Sequence, residues 1–294
     1  MTEGSRPCHL CGGRSFRLLT QRRSLRKHPT QVSAREEFRI LCCKKCGLGA
    51  VDPMPTDFTD LYKDGSSSPF EYYRRCAAAD RRTFRTILGR VSPFLPRGRI
   101  LDVGCAAGTF IETARENGYS TDGVEISPDC AARCRGRGFN VAECGVESIP
   151  NDWRGYDLVH MGDVLEHLSA PLDTLRDLRL RLNENGLIVI STPNLVSFAA
   201  RIFQIKPREH LYYFTKRALA RLLTTAGFSP LTLTTFDRWR DLGSLHYSST
   251  FAVAGFGRWL AETLAKSILK NMILRFPFRE NLFCIARRTP DSAD

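Results

Sequence analysis

The 294-residue sequence predicts an α/β fold, in which helices cover both faces of a central parallel sheet and a small metal-binding module precedes that sheet. From Arg99 onward, short apolar runs typical of buried strands alternate with helical stretches, and a glycine-rich turn at Gly104 and Gly108 follows the first run. Near the N-terminus, 31 residues lie between two Cys-x2-Cys pairs. These observations predict the sheet and the module.

The composition limits the classes of protein to which the chain can belong. Hydrophobic residues make up 43% and charged residues 25%, which excludes disordered, collagen-like and low-complexity proteins. The first seven residues lack the apolar segment of a secretion signal, and no uncharged apolar run reaches the roughly 18 residues of a membrane span. We therefore expect a cytoplasmic protein whose eleven cysteines are metal ligands or core residues.

The net charge of +12 is unevenly distributed along the chain. Residues 1–100 hold 20 basic and 9 acidic side chains, residues 101–198 hold 8 and 15, and residues 199–294 hold 15 and 7. Basic flanks attract anionic partners, such as a phosphorylated small molecule, nucleic acid or a membrane surface. Solvated arginine-rich helix faces explain the same flanks equally well.

Residues 1–51 are predicted to form a zinc ribbon. The ligands are Cys8, Cys11, Cys43 and Cys46, because the two-residue spacing lets both thiolates of a pair face one Zn²⁺ at about 2.3 Å. Cys42 is a spare beside Cys43, and the spacing favours Cys43. So short a segment needs the ion for its stability, and a closed site of four thiolates leaves no open position for catalysis.

The elements of the main domain follow in order. A linker rich in proline, glycine and serine is predicted over residues 52–70, and the domain itself over residues 71–294. It begins with an amphipathic helix over residues 71–95. The strands are predicted at residues 100–103, 123–126, 139–142, 156–161 and 186–192, with helices over residues 109–117 and from Pro128.

The residues around the glycine turn indicate its ligand. The Gly-x-Gly-x-x-Gly fingerprint of dinucleotide-binding proteins is absent. Asp102 precedes the turn, where a carboxylate repels a pyrophosphate and suits a cationic ligand with an amino group and a sulfonium. Glu125 stands 21 residues past Gly104, at the end of the second strand, where a carboxylate accepts both ribose hydroxyls.

Five segments carry a resemblance to a known family: residues 101–110, 123–125, 156–159, 164–168 and 186–194. Together they resemble the class I S-adenosylmethionine-dependent methyltransferases, of the Methyltransferase-23 type, over about residues 99–290. The resemblance implies a Rossmann-like sheet of seven strands, with S-adenosylmethionine over the first two. It also implies an antiparallel hairpin for the last two strands, for which residues 230–236 and 282–287 qualify.

The resemblance further implies which residues contact the cofactor, namely Asp102, Gly104, Cys105, Gly108, Glu125, Val146 and Asp163. Two positions depart from the family's pattern. Ala106 stands where many members have a glycine, which the turn tolerates if it needs no positive φ there. The acidic residue that often holds the adenine amine after the third strand is missing, because Cys144-Gly145-Val146 stands there. We expect the backbone to recognise adenine, with Glu147 as a weaker candidate.

Methyl transfer usually needs a residue that removes the acceptor's proton, near the ends of the fourth and fifth strands. His167 and His210 follow these strands. Residues 209–215 resemble the segment that bears the catalytic histidine of sugar-nucleotide C-methyltransferases, which also begin with a four-cysteine zinc module. That resemblance makes His210 the general base, His167 a second polar group facing the substrate, and Glu209 and Tyr213 orienting or substrate-binding neighbours. A local capping role fits His167 equally.

We expect a small-molecule acceptor, either a sugar or glycan precursor or another oxygen or carbon nucleophile. A quinone-like phenol or a membrane-held substrate is a second interpretation. RNA is the alternative from another class, because basic flanks and a zinc ribbon suit nucleic acid. The sequence lacks the Asp/Asn-Pro-Pro-aromatic motif of base N-methylation and the Pro-Cys nucleophile of cytosine C5 methylation, which favours a small molecule.

A helical insertion is predicted over residues 243–280, before the last strand. It would cover the substrate pocket or form a dimer surface. Alternatively, residues 250–276 would form an interfacial helix that brings the protein to the inner face of a membrane.

Overall fold

The computed structural model describes residues 2–3, 6–25, 35–55, 69–207, 209–242, 263, 272–275 and 277–290. The strands are β1 (Thr2–Glu3), β2 (Ser15–Leu25), β3 (Arg35–Cys43), β4 (Gly49–Asp52), β5 (Arg99–Val103), β6 (Ser120–Glu125), β7 (Asn140–Glu143), β8 (Tyr156–Gly162), β9 (Leu182–Pro193), β10 (Tyr212–Tyr213), β11 (Phe228–Phe236), β12 (Trp239–Asp241), β13 (Ile273–Arg275) and β14 (Asn281–Arg288). The helices are α1 (Pro69–Val91), α2 (Thr109–Glu116), α3 (Pro128–Gly136), α4 (Pro171–Arg181), α5 (Phe198–Phe203) and α6 (Lys216–Thr225), with 3₁₀ turns at Val146–Ser148 and Leu165–His167.

The main sheet has seven strands in the order β7-β6-β5-β8-β9-β14-β11. The five strands from β5 to β9 run parallel, and β14 lies antiparallel between β9 and β11. The predicted seven-stranded sheet with an antiparallel last strand is therefore confirmed. The last two strands pair as expected, but residues 237–280 join them in place of a hairpin turn. The strand order reverses at β5, which opens a crevice at the carboxyl ends of β5 and β8.

Helices cover both faces of this sheet, which explains why its strands read as continuous apolar runs. On one face, Ile87 of α1 and Phe110 of α2 pack with Leu158 and Phe283. On the other face, residues of α4 and α6 pack against β8, β9 and β14. The first helix ends at Val91, four residues earlier than predicted, because Pro93 disfavours helical backbone at the residue before it.

The N-terminal module forms a second sheet, in the order β1-β2-β3-β4-β10. Its fifth strand comes from the main domain: Tyr212 pairs with Ala50 and Tyr213 with Gly49. Hydrogen-bonded backbone therefore joins the module directly to the segment that follows His210.

The predicted helical insertion lies mostly outside the described residues. Where its end is described, Ile273–Arg275 forms strand β13, which pairs antiparallel with β12. The helical prediction for residues 273–275 is therefore wrong, since pairing with Trp239–Asp241 supplies their backbone hydrogen bonds. Within the part of the chain that the structure describes, no helix has the length and apolar character needed to cross a membrane.

Candidate functional site

The glycine turn connects β5 to α2 at the crevice. Gly104 and Gly108 have left-handed backbone, with φ of 73° and 75°. A Cβ at Gly104 would lie 2.6 Å from Val164 Cγ2, so the turn leaves no room for a side chain there. Ala106 also has positive φ, 50°, so the turn does not meet the condition under which alanine would replace glycine without cost. An alanine in this region costs about 1 kcal/mol relative to glycine.

Asp102, at the carboxyl end of β5, is only 2% exposed. Its Oδ1 lies 2.7 Å from Nδ1 of His160, which faces it from β8. Its Oδ2 is buried without a hydrogen-bond partner among the described residues. A buried carboxylate oxygen of this kind needs a donor, and an amino group of a bound cation would supply one.

His160, which no sequence motif singled out, stacks on Phe110 with the ring centroids 3.7 Å apart. Both nitrogens of this ring are buried, and Nε2 has no hydrogen-bond partner within the described ranges. A signal was present, because a histidine inside the apolar run of β8 requires a polar partner on a neighbouring strand.

Glu125, at the end of β6, connects two parts of the site. Its Oε2 accepts a hydrogen bond from the Ala106 N–H and its Oε1 one from the Ser127 N–H, both at 2.8 Å. Burial raises the pKa of Glu125, while the amide hydrogen bonds partly offset this. The carboxylate is therefore held at the tip of the glycine turn, the position expected for a ribose ligand.

The other predicted cofactor residues contribute in different ways. Cys105 donates its backbone N–H to Val124 O at 3.0 Å, while its side chain packs with Ala131 and Cys134. Val146 is 9% exposed and begins the 3₁₀ turn after β7.

Asp163 follows β8 in left-handed backbone, with φ of 55°. Its carboxylate accepts a hydrogen bond from Ser191 Oγ at 3.3 Å and forms an ion pair with Arg238. Arg238 also lies 3.8 Å from Asp80 of α1, so this guanidinium joins α1 to the crevice. No sequence pattern pointed to Arg238, because 75 residues separate it from Asp163.

His167 and His210 meet beside the crevice, with ring centroids 4.8 Å apart and planes at 85°. His167 Nδ1 donates to Glu209 O and His210 Nδ1 donates to Gln204 O, each at 2.8 Å. Because a carbonyl oxygen only accepts, each Nδ1 carries the proton and each Nε2 keeps a lone pair.

Both histidine rings are in the neutral state that a proton acceptor needs. Burial lowers the pKa of His167. Burial, with smaller effects from His167 and Lys206, holds the pKa of His210 well below its usual range. Both rings are therefore neutral near pH 7.

Glu166 lies beside the two histidines and was not selected as a site residue. Its Oε2 accepts from Thr192 Oγ1 at 2.9 Å, and its Oε1 is buried without a hydrogen-bond partner in the described residues. Burial, with Asp163 nearby, raises the pKa of Glu166 to about 8. One ligand atom from each of Glu166, His167 and His210 lies within 4.8 Å of the others.

The other two predicted catalytic residues, Glu209 and Tyr213, are neighbours of the histidine pair, and the Tyr213 ring meets the His210 ring edge-on with centroids 6.1 Å apart. The Glu209 carboxylate is 3.1 Å from Lys206 Nζ, whereas its main-chain oxygen orients His167. The Tyr213 ring packs with Phe38, Ile40 and other apolar side chains of the module.

The four cysteines of the two pairs come together in the module. Cys8 Sγ lies 3.5 Å from Cys46 Sγ, and Cys11 Sγ lies 3.6 Å from Cys43 Sγ. Four sulfurs around one Zn²⁺ would lie about 3.8 Å apart, so the spacing fits this ion. Cys42 lies elsewhere, in the apolar cluster of Phe38 and Ile40, so Cys43 belongs to the group, as its spacing predicts.

Comparisons with known proteins agree with this geometry. A family model described as a methyltransferase domain matches residues 70–233. A ubiquinone biosynthesis O-methyltransferase of Aeromonas salmonicida is 24% identical over 174 residues, covering 51% of this chain and 67% of that protein.

Two further similarities extend over more of the chain. A probable S-adenosylmethionine-dependent methyltransferase of Mycobacterium tuberculosis is 26% identical over 196 residues, covering 63% of this chain and 71% of that protein. The crystal structure of a methyltransferase from Thermotoga maritima covers 79% of this chain and 99% of its own, at 16% identity and a TM-score of 0.51. The structural similarity supports the fold.

Proposed function

Because the chain belongs to the methyltransferase family matched over residues 70–233, and is thus a class I S-adenosylmethionine-dependent methyltransferase, we propose that it methylates a hydroxyl of a small-molecule acceptor with His210 as the general base. The observation that carries this proposal is the neutral His167–His210 pair, whose two Nε2 atoms are acceptors beside the crevice. A sugar or glycan precursor and a quinone-like phenol both present such a hydroxyl.

The cofactor fits the residues of the crevice. Asp102 Oδ2 would accept from its amino group, Glu125 would accept from its ribose hydroxyls, and the glycine turn allows close approach. S-adenosylmethionine supplies an electrophilic methyl group when bound.

The chain's own residues prepare the acceptor. His210 Nε2 takes the proton of the acceptor hydroxyl, which makes the oxygen a stronger nucleophile. Gln204 O fixes the ring through Nδ1, and His167 Nε2 offers a second acceptor for a neighbouring hydroxyl. Burial of His210 excludes water that would compete for the same proton.

The acceptor class can be identified by labelling. Enzyme and methyl-labelled S-adenosylmethionine are added to cell extract separated into lipid, sugar-nucleotide, RNA and protein fractions. We expect label in the sugar-nucleotide fraction or in a phenolic lipid, with the Asp102→Ala variant as the background. Label confined to RNA or protein would overturn the small-molecule proposal.

The group of Glu166, His167 and His210 allows a second activation mechanism, in which a divalent cation binds the acceptor. Addition of Mg²⁺ or Mn²⁺ to dialysed enzyme distinguishes the two. Unchanged turnover agrees with His210 as a base, whereas stimulation that the Glu166→Gln variant loses would favour the cation.

We also propose that Cys8, Cys11, Cys43 and Cys46 hold one structural zinc ion. Elemental analysis is expected to find about one zinc per chain, and the Cys46→Ser variant is expected to lose zinc and thermal stability. Cys42→Ser is the matched control and keeps the metal. A folded, metal-free wild-type chain, or zinc loss in the control alone, would contradict the assignment.

A further inference from the structure

The segment that follows His210 is held by the cysteine module. Tyr212 and Tyr213 form the edge strand beside β4, and the Val51 N–H donates to Leu211 O at 3.0 Å. The backbone immediately after His210 is therefore a strand of the module's sheet as well as part of the main domain.

Side-chain hydrogen bonds join this segment to both cysteine pairs. The Tyr212 hydroxyl and His9 Nδ1 are hydrogen-bonded at 2.7 Å, and His9 lies between Cys8 and Cys11. On the second pair, Thr215 Oγ1 donates to Gly47 O at 3.3 Å, and Gly47 directly follows Cys46. Each pair thus contributes one contact to the segment.

The same segment connects to the second histidine. The Leu211 N–H donates to Glu166 O at 2.8 Å, and Glu166 precedes His167. Tyr212 also donates its hydroxyl to Ser169 O at 3.3 Å. Leu211 and Tyr212 therefore lie between the module on one side and the loop after β8 on the other.

The cofactor half of the site, formed by the carboxylates of Asp102 and Glu125, is held in place by other contacts. In the described residues, the hydrogen bonds of the Asp102 and Glu125 carboxylates go to His160, Ala106 and Ser127, which all belong to the main domain. A change in the module can therefore move the histidines without moving the cofactor carboxylates.

We propose that Tyr212 is a positioning residue, whose contact with His9 in the first cysteine pair sets the place of His210, so that the module governs the acceptor half of the site. The proposal rests on the function proposed for His210. In this role the module supports methyl transfer by holding the acceptor residues in place.

The test removes one hydroxyl from the full-length, zinc-containing protein. In Tyr212→Phe, we expect turnover with the labelled acceptor fraction to fall about tenfold while the Kd for S-adenosylmethionine stays within twofold. The imidazole NMR signals of His210 should shift, and the Leu211 amide should exchange faster. Tyr119→Phe is the matched control, since its hydroxyl likewise donates to a main-chain oxygen, that of Leu95, at 2.7 Å.

Two further variants make the result decisive. His9→Ala alters an exposed residue and is expected to reproduce the effect, and the double variant should be no worse than Tyr212→Phe alone. Additive losses, or unshifted His210 signals in Tyr212→Phe, would overturn the positioning role. If His210→Gln itself keeps full turnover, the function proposed for His210 fails instead.

Discussion

The Asp102→Ala variant is expected to lose at least about 100-fold in affinity for S-adenosylmethionine, measured by calorimetry. Within the described part of the chain, the wild-type carboxylate has one buried oxygen without a hydrogen-bond partner, next to the turn where the cofactor's charged amino group is expected. Truncation removes both a charge-assisted hydrogen bond and the attraction between opposite charges. A 100-fold loss of affinity corresponds to about 2.8 kcal/mol of binding free energy. Asp102→Asn keeps an acceptor for His160 and should lose about tenfold.

Asp157→Asn is the control for this prediction. Asp157 lies at the opposite, amino end of β8, where it accepts from the Arg99 N–H and from the Asn183 amide, each at 2.8 Å. Its replacement should leave the cofactor affinity unchanged. Glu125→Ala should weaken binding to a similar degree as Asp102→Ala. Wild-type affinity in both of these variants would refute the assignment of the cofactor residues.

The His210→Gln variant is expected to bind S-adenosylmethionine normally and to turn over about 1,000-fold more slowly, because general-base catalysis typically contributes 10²- to 10⁴-fold. Glutamine keeps a donor toward Gln204 O but cannot take a proton at neutral pH. A Glu209→Gln control should retain most activity, since the main-chain oxygen of Glu209 orients His167. Near wild-type turnover in His210→Gln would exclude this residue as the base.

The pH profile gives an independent check on His210. A base acts when deprotonated, so turnover is full above its pKa and falls as the pH drops through it. Burial, His167 and Lys206 hold the pKa of His210 below the ordinary histidine value, which places the fall on the acid side of about 6.5. A single fall centred above that value would point to another group, such as Glu166.

The order of the elements and the residues of the glycine turn could be predicted because their signals are local. Alternating apolar strands, the spacing of Cys8, Cys11, Cys43 and Cys46, and the carboxylates at strand ends each depend on near neighbours in the chain. Local signals failed at residues 273–275, where pairing with β12 replaced the predicted helix. They left the φ of Ala106 open, because only the folded turn fixes it.

The strands of the sheet, the cofactor turn and the cysteine pairs can be predicted from the amino-acid sequence, since each has a local pattern of residues. Which distant side chains meet depends on the packing of the folded chain. It brought His160 to Asp102, Arg238 to Asp163 and His210 to His167, across separations of 58, 75 and 43 residues. It also joined β10 to β4. These contacts depend on how the helices and strands pack together, and local sequence patterns do not predict that packing.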